Sequence, residues 1–229
     1  DFVLMGETLH GDYNRWMGEE LCHSVTNYEC YKGLWSGFNS MNMFEIGHSL
    51  ARQFGPEQWT LYKGGHQLSF LDNHDVSRIA SQLTNPEQLK AAYALMFGMP
   101  GVPAVYYGSE WGILGDKKQG DDALRPELEL PQWNGLCDWI EKLAQAKRGS
   151  KALCYGSYRN VMLTNPQIIF ERKFENERVL VAVNASGDPY TAHFDAQAGR
   201  AVDLITGAAD DFGGGSQMPT YRVAYWRTE

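Results

Sequence analysis

The chain has 229 residues, 43% hydrophobic and 13% aromatic, with a net charge of −8 from 20 basic and 28 acidic side chains. That length holds one large or two small domains, and the acidic balance argues against a nucleic-acid partner, because phosphate backbones demand basic stripes. No run approaches ~18 apolar residues, so no segment reads as a membrane span. Cys22, Cys30, Cys137 and Cys154 show no Cys-x-x-Cys metal spacing. Cys22 and Cys30 could bridge, but free thiols are the expectation, and the compartment, cytoplasmic or secreted, stays open.

Asp1 to Glu7 reads as an apolar strand ending in Gly6-Glu7. His10 to Trp16 follows as a loop and Trp16 to Cys22 as a weak helix. Ser24 to Tyr31 reads as a strand end with Asn27 and Tyr28 at its tip. Met43, Phe44, Ile46, Leu50 and Phe54 recur at helical spacing, and Gly55-Pro56 stops that helix. Leu68 to Asn73 is the next strand. Asn85 caps a helix that has Pro86 in its first turn and runs to about Phe97. Met99 to Pro103 is a turn, Ala104 to Tyr107 a strand, and Gly108 to Pro131 a loop rich in Gly and charge. Gln132 to Lys147 is a final helix stopped by Gly149.

Beyond Ser150 the pattern becomes short strands at Ile168–Phe170, 179–183, 190–194, 202–205 and 221–226, separated by Gly, Asn, Asp and Pro. The chain therefore reads as α/β over 1–150 followed by an antiparallel β-sandwich over 151–229, which local strand pairing should let fold by itself.

Ser69-Phe70-Leu71-Asp72-Asn73-His74-Asp75 is the most informative stretch. A buried strand ends in an Asn-His-Asp triplet, and buried carboxylates and imidazoles are costly as packing unless paired. In a parallel α/β barrel the strand C-termini carry the chemistry. Glu7 ends another strand in the same way, and two carboxylates on strand ends of one barrel are how glycosidic bonds are cut. The plainer readings are a strand-end Glu7 paired with a base, Asp75 as cap of a helix starting near Val76, and His74 as a satisfied core residue.

Phe70 to Asp75 resembles the seventh-strand motif of the α-amylase family of glycoside hydrolases. Met5-Gly6-Glu7 with His10 resembles its fifth-strand motif, and Pro100 to Glu110 its eighth strand. The resemblance implies strands five to eight of a (β/α)8 TIM barrel plus the C-terminal β-sandwich. It implies a retaining α-glycosidase acting on starch, maltodextrins or maltooligosaccharides. Glu7 would be the general acid/base, and Asp75 would grip sugar hydroxyls and steady the oxocarbenium-like transition state. Substrate contacts fall to His74, His10, Asn73, Arg78, Tyr107 and Arg125, with Arg78 expected to pair with a site carboxylate. Trp16 and Trp111 are weaker platform candidates.

Four strands are read where such a barrel has eight, so the first half, with the fourth-strand nucleophile, is expected upstream of Asp1. No metal ligand is assigned and no cofactor is evident; the calcium ligands usual in the family would also lie upstream. The half-barrel should self-associate or pair with its missing half. The competing readings are an α-glucan transglycosylase, a non-catalytic interaction domain, and an inert fragment.

Overall fold

The computed structural model describes residues 2–131 and 133–229. Four short parallel strands open the chain: β1 (Met5–Gly6), β2 (Ser24–Val25), β3 (Leu68–Phe70) and β4 (Val102–Ala104). Met5 pairs with Ser24, a single bridge joins Thr26 to Leu68, and Leu68 pairs with Val102. The four thus form one arc in sequence order, with α-helices between β2 and β3 and between β3 and β4, as in a βα repeat, and only a 3-10 turn between β1 and β2.

α1 (Tyr28–Asn39) and α2 (Phe44–Phe54) lie between β2 and β3. The expected strand end at Asn27-Tyr28 is instead a helix start: the Asn27 side chain accepts from Cys30 N and its amide donates to Gln53 Oε1 at 2.8 Å, both residues buried. Gly33 lets the two helices close, since a Cβ there would stand 3.1 Å from the Ile46 Cα. α3 (Ile79–Gln82), a 3-10 turn at Pro86–Gln88 and α4 (Leu89–Gly98) link β3 to β4. α5 (Gly135–Arg148), capped by Asn134, and α6 (Lys151–Tyr155), capped by Ser150, complete this part. Gln132, the expected start of the last helix, lies outside the described residues.

Trp16 to Cys22 is no helix: Tyr13–Arg15 makes one 3-10 turn, and Cys22 N donates back to Trp16 O. The last parallel strand lies at Val102–Ala104, earlier than the 104–107 read from the sequence.

The remaining strands are β5 (Ser157–Leu163), β6 (Gln167–Phe174), β7 (Glu177–Asn184), β8 (Tyr190–Ala192), β9 (Arg200–Asp203), β10 (Ala209–Asp211), β11 (Ser216–Met218) and β12 (Val223–Thr228). They form an antiparallel sheet of order β10-β9-β12-β7-β6-β5 and a pair β8-β11. Leu180, Ala182 and Trp226 face the small pair, whereas Val179, Val181, Val183 and Tyr225 join the helical core. Burial on both faces explains the unbroken apolar run 179–183. α4 is buried nearly all round because it is the joint: Tyr225 OH donates to Ala94 O, and Arg172 Nη1 donates to Gly98 O at 2.9 Å. The sandwich thus shares one core with the helices.

Cys22, Cys30 and Cys154 are free thiols, and the Cys137 thiol donates to Glu110 O at 3.3 Å. Among the described residues no helix is long and apolar enough to cross a membrane.

Candidate functional site

Glu7 follows the C-terminal end of β1, and Asn73-His74-Asp75 follow that of β3. The single Thr26–Leu68 bridge brings those ends to one rim of the arc. One donor atom each from Glu7, His74 and Asp75 lies within 4.8 Å of the others. Thr26 fixes the Glu7 end: its Oγ1 accepts from Thr8 N at 2.9 Å. Asp75 is held three ways. Its backbone N donates to Asn73 Oδ1 at 2.8 Å, His74 Nε2 lies 3.4 Å from Oδ2, and Arg125 Nη2 lies 2.9 Å from Oδ1. Arg125 Nε also donates to His74 O at 3.1 Å, so this arginine, read from a variable loop, does reach the cluster.

A cavity of about 300 Å³ opens beside the cluster, lined by Glu7, Thr26, Phe70, Asn73, His74 and Tyr106. A larger groove of about 690 Å³ lies next to it, walled by His10, Tyr13, Tyr31 and Lys32. Tyr28 borders that groove and also contacts Glu7, which lines the smaller cavity. His10 is exposed on the groove wall. The Glu7–His74–Asp75 donor set has the reach to hold a small cation, but the Arg125 guanidinium already neutralises one Asp75 oxygen.

Two readings are corrected, those of Arg78 and of Asp75 as a helix cap. Arg78 does not pair with Glu7 or Asp75 and does not face the cavity; it is fully buried. Its guanidinium donates to Tyr107 O, to Ser109 Oγ at 2.8 Å and to Leu124 O at 2.8 Å, and stacks 4.3 Å from the Tyr106 ring centre. It is a strut between the α3 start and the long loop after β4. Tyr107 turns its hydroxyl to Pro126 O, and Tyr106 takes the cavity wall. Asp75 is not a helix cap: Asp72 Oδ2 accepts from Ile79 N at 2.7 Å, and also from Ser109 Oγ at 2.8 Å. Burial pushes the Asp72 carboxyl above the usual range, against the pull of these hydrogen bonds and of Arg78. Trp16 is exposed, and Trp111 lines a separate surface pocket with Ile113 and Glu127.

Sequence reasoning missed Tyr28 as a site residue. Its hydroxyl donates to Glu7 Oε1 at 3.3 Å and accepts from Asn73 Nδ2 at 2.8 Å. Burial, and secondarily the Glu7 charge, raise its pKa, while the Asn73 hydrogen bond lowers it.

A parallel βα arc with carboxylates and an imidazole on its C-terminal rim, continued by an antiparallel domain, matches the second half of a (β/α)8 barrel followed by a β-sandwich. The profile described as "Alpha amylase, catalytic domain" matches residues 1–177, and "Alpha amylase, C-terminal all-beta domain" matches residues 162–225. The chain belongs to the α-amylase family of glycoside hydrolases, and both the resemblance and the fold class read from the sequence are borne out.

The cyclomaltodextrin glucanotransferase of Bacillus sp. (strain 38-2) is 35% identical over 118 residues, covering 52% of this chain and 16% of that protein. The alpha-amylase of Niallia circulans is 35% identical over 124 residues, covering 54% and 23%. Among solved structures, an Anoxybacillus alpha-amylase superposes with a TM-score of 0.82 at 21% identity, covering 100% of this chain and 52% of that one. The Geobacillus thermoleovorans alpha-amylase, complexed with acarbose, gives 0.83 at 17% identity, covering 100% and 54%. The chain thus aligns with a quarter or less of these sequence relatives and spans about half of these solved chains.

Proposed function

We propose that this chain supplies the acid/base half of a retaining α-glycosidase site acting on starch, maltodextrins or maltooligosaccharides. The observation that carries this reading is the meeting of Glu7, His74 and Asp75 within 4.8 Å on the C-terminal rim of the parallel arc. Glu7, protonated, gives its proton to the glycosidic oxygen as the C1–O bond breaks, and the bonding pair leaves with that oxygen. A carboxylate nucleophile from outside these 229 residues takes C1. Water, deprotonated by Glu7, then releases the sugar. Asp75, held by Arg125 and Asn73, offers fixed negative charge to the oxocarbenium-like state and to the adjacent sugar hydroxyls. His74 donates to a hydroxyl of the same ring, and His10 lies further along the groove.

The 229-residue chain by itself is then inactive. Phe2 and Val3 stand 80% and 68% exposed beside β1, and Val102 on β4 is also open, an apolar rim suited to further barrel strands. Transglycosylation is the second reading, because relatives named as glucanotransferases match as well as the amylase does. Glu7→Gln in the full-length protein tests the first reading. Turnover of maltooligosaccharides should fall by at least about 100-fold, and an unchanged rate refutes the role. Chromatography of the products separates hydrolysis from transfer.

A further inference from the structure

The Glu7 carboxylate is also contacted by the Tyr28 phenol. Tyr28 is the first residue of α1 and reaches across the arc. Its ring is clamped edge-on by Phe70, centroids 4.9 Å apart, and by Tyr31 at 6.0 Å. Its backbone is fixed by the buried Asn27–Gln53 pair beneath the helix start. The phenol therefore rests on rigid elements, as a positioning group must. Its oxygen bonds on two sides, receiving the Asn73 amide proton at 2.8 Å and directing its own proton to Glu7 Oε1 at 3.3 Å. Asn73 in turn accepts from the Asp75 backbone N. A continuous chain of hydrogen bonds, Asp75 N to Asn73 to Tyr28 to Glu7, thus ties together the ends of two strands that share no direct pairing.

We propose that Tyr28 is a positioning residue for proton transfer by Glu7, holding the acid in register with the His74–Asp75 loop through Asn73. This rests on the acid/base reading of Glu7. The phenol occupies Oε1, which leaves Oε2 as the oxygen that carries the transferable proton toward the cavity. A donor bonded in turn to Asn73 is polarised and holds its acceptor more firmly than an isolated hydroxyl would. Without it, Glu7, exposed at the end of a two-residue strand, samples rotamers in which Oε2 misses the leaving oxygen.

The test is Tyr28→Phe in the full-length protein, which keeps the ring packed on Phe70 and Tyr31. It is measured as kcat/KM on a maltooligosaccharide and on the corresponding glycosyl fluoride, whose leaving group needs little protonation. The first value should fall about tenfold and the second by no more than about twofold. In the Glu7→Gln background, Tyr28→Phe should add nothing further on the maltooligosaccharide. Equal losses on both substrates, or an additive loss in the double variant, mean that Tyr28 only supports the fold, and overturn the proposal. If Glu7→Gln itself fails to discriminate between the two substrates, the acid/base reading falls and this proposal with it. If Glu7→Gln discriminates and Tyr28→Phe does not, the proposal alone is refuted.

Discussion

Lys147 should make the stability of this chain rise with pH across the weakly alkaline range. The side chain is buried at the joint between the helices and the sandwich, and its Nζ donates to Phe97 O, Met99 O and Leu153 O at 3.1, 3.1 and 3.2 Å. Burial, with the nearby Arg172 charge, pulls its pKa from 10.5 down to about 7. The three carbonyls favour the ammonium, but desolvation outweighs them. The folded pKa is depressed, so between about pH 7 and 10.5 the unfolded chain holds a proton that the folded chain has released. Stability then rises with pH, by at most about 1.4 kcal/mol per unit. Over the 3.5 units between the two values the sum reaches about 5 kcal/mol as an upper bound. Below about pH 7 both states are protonated and the full cost of burying the charge is felt. Lys147→Met removes the linked proton and strands three carbonyls, a loss that does not depend on pH. The slope of the wild-type minus variant difference therefore carries the test. Urea unfolding followed by tryptophan fluorescence, from about pH 6 to about pH 10, measures it; titrating groups that do not sense Lys147 cancel in the subtraction, whereas His66, which does, contributes at the acid end of the window. A difference that stays flat across this window refutes the reasoning.

At Gly98 a Cβ would lie 2.7 Å from Val181 Cγ1, so Gly98→Ala should cost about 1–3 kcal/mol in urea unfolding. Adding Val181→Ala should recover part of that loss; strictly additive losses would show that the contact is not tight. Asp72→Ala should cost about 3 kcal/mol, because Ile79 N and the Ser109 hydroxyl lose a buried acceptor. Asp72→Asn, which keeps an acceptor oxygen, should cost less, and equal losses in thermal melts would contradict that account. Arg125→Ala removes a half-exposed ion pair and should change stability by under about 1 kcal/mol. If Asp75 acts as proposed, the same change should nonetheless slow maltooligosaccharide turnover in the full-length protein, and an unaltered rate would detach Arg125 from the site. Residues 151–229 expressed alone should bind a hydrophobic dye and aggregate, because Val181, Val183 and Tyr225 lose α4. A cooperative, monomeric melt would refute that dependence.

The strands of the arc were legible by position more than by extent. The run at Leu68 announces β3, yet only Leu68–Phe70 belongs to the ladder, because the parallel pairing here is two or three residues long. Pro103 displaced the last strand in the reading, since proline is a poor central-strand residue. In the fold it sits opposite Ser69, and among the described residues β4 pairs with β3 alone. α1 was missed because Gly33 and Gly37 lower helix propensity. Gly33 is there for the close approach of Ile46 and Gly37 for that of the Asn42 carbonyl, and the signal for the helix is Asn27 as a cap, with Cys30, Leu34 and Phe38 four residues apart. β5 escaped because its alternation breaks between Asn160 and Met162, where the register shifts.

The site divides along the same line. Glu7, His74 and Asp75 could be read because strand ends concentrate chemistry and the triplet is contiguous in sequence. Arg78 was misread because its distance from Asp75 along the chain says nothing about direction: the chain turns at Asp72's cap, and the guanidinium drops into the interior. A buried arginine needs acceptors on several sides, and these come from Tyr107, Ser109 and Leu124, a loop whose path no local pattern encodes. Tyr28 lies 45 residues before Asn73, and the pairing of Thr26 with Leu68 and the packing of Tyr28 on Phe70 make them neighbours. Local sequence thus names the groups that do chemistry, whereas the groups that aim them are set by which strand ends the arc places side by side.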